Sequence, residues 1–106
     1  MNVLVVCSRN QWRSPTAEWI FRNDPSVSVR SAGTSPRAKR TVTIGDIHWA
    51  DQIVVMEDKH RSRLRSTYRR ELASTPLHVL DIPDNYGYRD PEIVELLTEA
   101  INDILA

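Results

Sequence analysis

The chain carries a single cysteine, Cys7, and six positions later an arginine, Arg13, followed directly by Ser14 and Pro15. A thiol attacks, and later leaves, as its thiolate. Helix N-termini and nearby cations favour that form and bring thiols from near 8.5 to roughly 3.5–7.5. A guanidinium is a planar fork that meets two oxygens of a phosphate at once. Between these two residues lie Ser8, Arg9, Asn10, Gln11 and Trp12, enough backbone to wrap one tetrahedral anion with its N–H groups turned inward. The expected chemistry is attack of the Cys7 sulfur on a bound phosphoryl group, giving a phosphocysteine. Arg13 would clamp the oxygens, and the Ser14 hydroxyl would donate to the sulfur and make it a better leaving group.

Such a loop needs a strand before it and a helix after it. Asn2 to Cys7 reads as a buried strand, because Val-Leu-Val-Val is β-branched and too short for a helix. Arg13 to Asn23 reads as a helix with Pro15 in its first turn, where a missing N–H costs nothing. Its positive end then faces the carboxyl end of the strand. Further on, strands are expected at Ser26–Ser31, Gln52–Met56 and Leu77–Leu80, with a polar loop at Thr34–Arg40. A short helix over Thr43–Ala50 has Thr43 as cap and Asp46 three residues on. A helix over Glu57–Leu72 carries the core stripe Leu64, Tyr68 and Leu72. A last helix starts at Asp90-Pro91, with Ile93, Leu96, Leu97, Ala100, Ile101 and Ile104 on one face. Alternating strands and helices imply a three-layer α/β fold, a four-stranded parallel sheet with helices on both faces. In such sheets ligands bind outside the carboxyl ends of the strands, where Cys7 sits.

Composition bounds the rest. A chain of 106 residues, 41% apolar and 26% charged, is expected to form one domain over residues 1–106. One thiol excludes an internal disulfide, and with three scattered histidines it makes no metal-binding pattern, so neither metal nor cofactor is expected. His48, His60 and His78 are expected to carry no chemistry, and Trp19 and Trp49 to serve packing. The N-terminus lacks a basic, apolar leader pattern and the apolar runs are too short to span a bilayer, so the expectation is a cytoplasmic protein with no membrane contact. Net charge is zero, yet twelve of the fourteen basic residues are arginine. Arg61, Arg63, Arg65, Arg69 and Arg70 would form a basic helix face. It is read as solvated, with nucleic acid as the rival partner for the Arg61–Arg70 face.

The run Cys7-x5-Arg13-Ser14-Pro15-x-Ala17-Glu18 resembles the active-site loop of the low-molecular-weight protein tyrosine phosphatases. Ser31-Ala32-Gly33-Thr34 resembles that family's SAGT stretch, Ala50–Glu57 its ADLILVMD strand, and Ile82-Pro83-Asp84-x-Tyr86 its late VPDPYYG loop. The matches occur in order along nearly the whole chain. The resemblance implies a metal-free, two-step hydrolysis of phosphate monoesters by a four-stranded parallel-sheet protein, with Cys7 as nucleophile, Arg13 as clamp, Ser14 as thiolate partner and Asn10 as the residue shaping the loop. Ser31 falls in a supporting place. Asp84 matches the position of the general acid, and Tyr86 and Tyr88 could flank an aromatic substrate.

The chain also departs from that pattern. It is short for the family, chiefly between Thr34 and Ala50, which trims the rim of the pocket. Arg9 replaces the usual loop glycine, and Ser8 and Gln11 replace apolar residues that face a substrate ring. Trp12 stands where a second cysteine is common. Asp90-Pro91 is a rival acid, but its place before an apolar helical run favours a capping role. The implied partners are a phosphorylated protein or small phosphomonoester, and inorganic phosphate or another oxyanion in the loop. The alternatives are a phosphate- or phosphoprotein-binding regulatory domain, and arsenate reduction, which needs further cysteines.

Overall fold

The computed structural model describes all residues from Met1 to Ala106. Its elements run β1 (Asn2–Cys7), α1 (Arg13–Ile20), β2 (Ser28–Gly33), α2 (Ile44–Trp49), β3 (Gln52–Val55), α3 (Asp58–Tyr68), β4 (Leu77–Val79) and α4 (Pro91–Leu105). The four strands form one sheet in the order β2-β1-β3-β4, and every pairing is parallel. Chain order reverses between β1 and β3, so this edge-to-edge junction is the sheet's switch point, the usual place for a ligand crevice. Cys7 ends β1 there, beside the end of β3, through the register Val6↔Val55.

β1 is central, and Val3, Leu4, Val5 and Val6 are all fully buried. That is why its sequence is a continuous apolar run rather than an alternation. Val3, Val5 and Cys7 pack with Ala17 and Phe21 of the α1 region and with Ile93, Leu97 and Ile101 of α4. Leu4 and Val6 face the other way, onto Ile47 of α2 and Leu64 and Leu72 of the α3 region. Two helices thus cover each face, and the expected layering is observed.

Local signals account for the helix starts. Thr43 caps α2: its hydroxyl accepts from Asp46 N at 3.3 Å, while the Asp46 carboxylate accepts from Thr43 N at 3.0 Å. Burial opposes the charge on Asp46, but hydrogen bonds from Thr43 and Arg40 outweigh it and hold the carboxyl below the usual range. Asp90 caps α4 by accepting from Glu92 N at 2.9 Å, with Pro91 in the first turn.

Several boundaries differ from expectation, most by one or two residues. α1 ends at Ile20 and α3 at Tyr68, each followed by turns, and β2 begins two residues later, at Ser28. Leu72 is buried although it lies past α3, because the turn beyond it keeps a Leu72 N–H bond to Tyr68 O at 3.0 Å. Leu96, placed on the core face of α4, is instead 39% exposed, and the buried stripe is Ile93, Leu97 and Ile101. No helix is long and apolar enough to cross a membrane.

Candidate active site

The loop from Ser8 to Trp12 joins β1 to α1 and is held from outside by its carbonyls. Thr34 N donates to Cys7 O at 3.0 Å, Ser35 N to Ser8 O at 2.9 Å and Lys39 N to Arg9 O at 3.1 Å. With those carbonyls turned outward, the N–H groups of Ser8, Arg9, Asn10, Gln11 and Trp12 have no protein acceptor. Asn10 takes a left-handed conformation, φ 55°, which turns the chain back toward the helix. Its side-chain amide then donates to Ser14 Oγ at 3.0 Å and to Ser31 Oγ at 2.9 Å. Ser31 in turn donates to Glu18 at 2.6 Å. Gly33 lets the cradle sit this close to β2: a Cβ there would lie 2.5 Å from Ser8 O and 2.6 Å from Ala38 Cβ.

At the base of the loop, Cys7 Sγ lies 3.0 Å from Ser14 Oγ. The donation from Asn10 occupies a lone pair on Ser14 oxygen, which leaves the single Ser14 proton for either the sulfur or Ala32 O, 3.3 Å away. An ionised sulfur takes that proton. A protonated one donates to Ser14 instead, and Ser14 then bonds the carbonyl. The pair therefore accommodates both charge states without moving an atom of the backbone.

Arg13 is 2% exposed, and one edge of its guanidinium is locked. Nη1 donates to Glu57 Oε2 at 2.6 Å and to Ile82 O at 2.9 Å, while Nε lies 3.6 Å from Asp84 Oδ1. The hydrogen bond from Arg13 holds Glu57 below the usual carboxylate range. Nη2 donates to no protein group. Cys7, Ser8, Arg9, Gln11, Trp12, Arg13 and Asp84 together line a cavity of about 200 Å³.

Asp84 thus reaches the cavity, with half of its side chain exposed, whereas the Asp90 carboxylate is spent on the cap of α4. Neither Tyr86 nor Tyr88 lines the cavity. Tyr86 packs on the core beneath α4, and Tyr88 lies over an adjoining depression with Gln11, Trp12 and Pro15. The aromatic side chain at the mouth is Trp12, which is 44% exposed.

Two residues that hold lining side chains from behind have no signal near Cys7 in the sequence. One is Glu57, the anchor of Arg13. The other is His60, which has both ring nitrogens hydrogen-bonded. His60 is buried, accepts from Glu57 N at Nδ1 (3.0 Å) and meets Ser8 Oγ at Nε2 (2.8 Å). Burial, reinforced by the Arg13 guanidinium, pushes it down to about 4. His48 is exposed and His78 bonds Gln52 at 2.6 Å, both away from the loop. Trp19 and Trp49 carry stacked guanidinium groups, Arg22 and Arg89 on the first and Arg30 on the second, in keeping with a packing role. A larger depression of about 550 Å³ lies elsewhere, along Arg65, Arg69 and Leu72, and contains none of these groups.

A three-layer parallel sheet whose switch point carries a strand–loop–helix turn running from Cys7 to Arg13 defines a class of α/β folds. Within that class the chain has the low-molecular-weight protein tyrosine phosphatase fold. It is similar to the YwlE arginine phosphatase from Geobacillus stearothermophilus (TM-score 0.76, 20% identity, covering 98% of this chain and 92% of that one). It is also similar to SP-PTP, a low molecular weight protein tyrosine phosphatase from Streptococcus pyogenes (TM-score 0.78, 19% identity, 98% and 90%). A third similar structure is the tyrosine phosphatase Wzb from Escherichia coli K30 in complex with phosphate (TM-score 0.75, 21% identity, 96% and 94%). No protein-family model and no curated relative matches the sequence.

Proposed function

We propose that this protein is a cysteine-dependent phosphatase that hydrolyses phosphotyrosine or another phosphomonoester through a phosphocysteine. The observation that carries this reading is the set of unclaimed N–H groups from Ser8 to Trp12, in a loop that lines one cavity together with Cys7, Arg13 and Asp84. Unclaimed loop amides and a guanidinium suit a dianionic tetrahedral group. The names of the similar structures, tyrosine and arginine phosphatases, support the same class of reaction.

In the first step the Cys7 thiolate attacks phosphorus in line with the ester oxygen. The S–P bond forms, the P–O bond to the leaving group breaks, and Asp84 delivers a proton to the departing oxygen. The amides and Arg13 hold the equatorial oxygens as charge spreads over them. In the second step Asp84, now a carboxylate, takes a proton from water as the water attacks phosphorus. The S–P bond breaks, inorganic phosphate forms, and Ser14 donates to the returning sulfur anion. Asn10 and Ser31 keep Ser14 aimed. The polar mouth, with Ser8 and Gln11 beside Trp12, grips a bare aryl ring through one aromatic face only.

Release of p-nitrophenol from p-nitrophenyl phosphate tests the reading. Cys7→Ser is expected to abolish turnover, and Asp84→Asn to lower kcat by about 10²–10⁴-fold on a poor leaving group. Asp90→Asn is expected to keep turnover. Phosphate binding without Cys7-dependent release would favour a regulatory binding domain instead. Loss of turnover in Asp90→Asn alone, in a folded protein, would move the acid to Asp90.

A further inference from the structure

We propose that Ser8 is an additional hydrogen-bond donor to the bound oxyanion, and that His60 is the positioning residue that aims its hydroxyl into the cavity. The inference rests on the oxyanion-binding reading above and adds to it a donor made by two side chains 52 residues apart.

Proton placement follows from the partners. The backbone N–H of Glu57 can only donate, so His60 Nδ1, 3.0 Å away, must be the acceptor. A neutral ring then carries its proton on Nε2. Burial and the adjacent Arg13 charge keep the ring neutral, since its pKa is pushed down to about 4. Nε2–H therefore donates to Ser8 Oγ across 2.8 Å. The one proton of Ser8 is thereby turned away from His60, and no protein acceptor lies within hydrogen-bond distance of it. Ser8 lines the cavity together with Cys7 and Arg13, so the group that this hydroxyl can serve is an oxygen of the guest.

The same assignment excludes another use of a Ser–His pair. A histidine that donates to the hydroxyl cannot remove its proton, so Ser8 is not a second nucleophile. Nor can His60 act as the acid or base of the reaction, because it stays neutral near pH 7 with both nitrogens engaged.

The two bonds of His60 can be separated by substitution. Asparagine places its oxygen where Nδ1 accepts from Glu57 and has no group that reaches Ser8. Glutamine places its amide nitrogen where Nε2 donates to Ser8. The experiment measures competitive inhibition by orthophosphate, together with kcat and KM for p-nitrophenyl phosphate, in wild type, Ser8→Ala, His60→Asn, His60→Gln and Ser8→Ala/His60→Asn. Thermal melts of each accompany the kinetics.

Ser8→Ala is expected to weaken phosphate binding and lower kcat/KM about tenfold, as for a hydrogen bond to a charged group. His60→Asn should match it, the double variant should be no worse than either single one, and His60→Gln should recover most of the loss even if it melts earlier. Phosphate affinity and kcat/KM within about twofold of wild type in Ser8→Ala would overturn the inference while leaving the phosphatase reading intact. So would multiplicative losses in the double variant, or equal losses in His60→Asn and His60→Gln. Wild-type protein that neither binds phosphate nor turns over would overturn both.

Discussion

At the scale of single residues, the charged and ionisable groups around the loop are held by hydrogen bonds from one side. Arg13 gives Nη1 to Glu57 and Ile82 O and leaves Nη2 without a protein acceptor. Ser14 receives from Asn10 and has one proton to give to either the sulfur or Ala32 O. His60 has a consequence for stability as well as for the site. Its pKa falls from 6.5 to about 4 on folding, so between those values the unfolded chain binds more protons and stability rises with pH. Its contribution is complete above pH 6.5 and is lost progressively as pH falls toward 4, about 3 kcal/mol in all. Glu57 and Asp46, held below their ordinary values, lose their contributions only at lower pH. Urea unfolding between pH 7 and 4.5 should therefore show a fall in stability that is largely absent in His60→Gln. An equal slope in both proteins would contradict the assignment of a neutral buried ring.

At the scale of elements, the patterns that survive in the sequence are those set by burial and by caps. The apolar run of β1, the Thr43–Asp46 pair and the Asp90-Pro91 start of α4 all read directly, because each is a local arrangement of a few residues. Helix ends read less well: past Tyr68 the i, i+4 spacing continues into turns, so Leu72 keeps its buried place without helical backbone. The loop Cys7–Arg13 was legible because every part of it lies within seven residues, and the resemblance of the later segments placed Asp84. Glu57 and His60 were not, since they reach the loop only through the pairing of β1 with β3, and alternation of strands and helices does not specify strand order. Their one signal is position, at the carboxyl end of β3 and in the first turn of α3. Gly33 is a similar case, a residue whose small size matters only once the loop is packed on β2. Gly33→Ala should push Ser8 and Asn10 apart from the strand and lower kcat/KM by roughly 10²-fold, the cost of misplacing groups by about 1 Å. Steady-state kinetics with a circular-dichroism melt would check it, and near-wild-type kcat/KM would show that the cradle does not need this close approach.

At the scale of the whole molecule, zero net charge conceals a separation. Lys59 to Arg70 carries six basic residues and no acidic one, while Asp90 to Asp103 carries five acidic residues and no basic one. α3 and α4 lie on opposite faces of the sheet, so the two charges partly cancel at a distance and each remains locally solvated. Arg61 is already paired with Asp58. Duplex DNA or RNA is thus expected to bind more weakly than about micromolar at physiological salt, the level reached by nonspecific phosphate contacts alone. A fluorescence-anisotropy titration over a salt series checks this, and submicromolar binding at 150 mM salt would make the Arg61–Arg70 face a nucleic-acid surface.

The account stands on the Cys7 sulfur accepting a phosphoryl group, and that bond can be observed. The protein is mixed with excess p-nitrophenyl phosphate, quenched in acid within the first turnover and digested for mass spectrometry. The account predicts one phosphoryl group per chain, on the peptide containing Cys7, formed at the rate of the p-nitrophenol burst and gone in Cys7→Ser. Turnover that proceeds with no phosphorylated Cys7, or with the label on another residue, would contradict it.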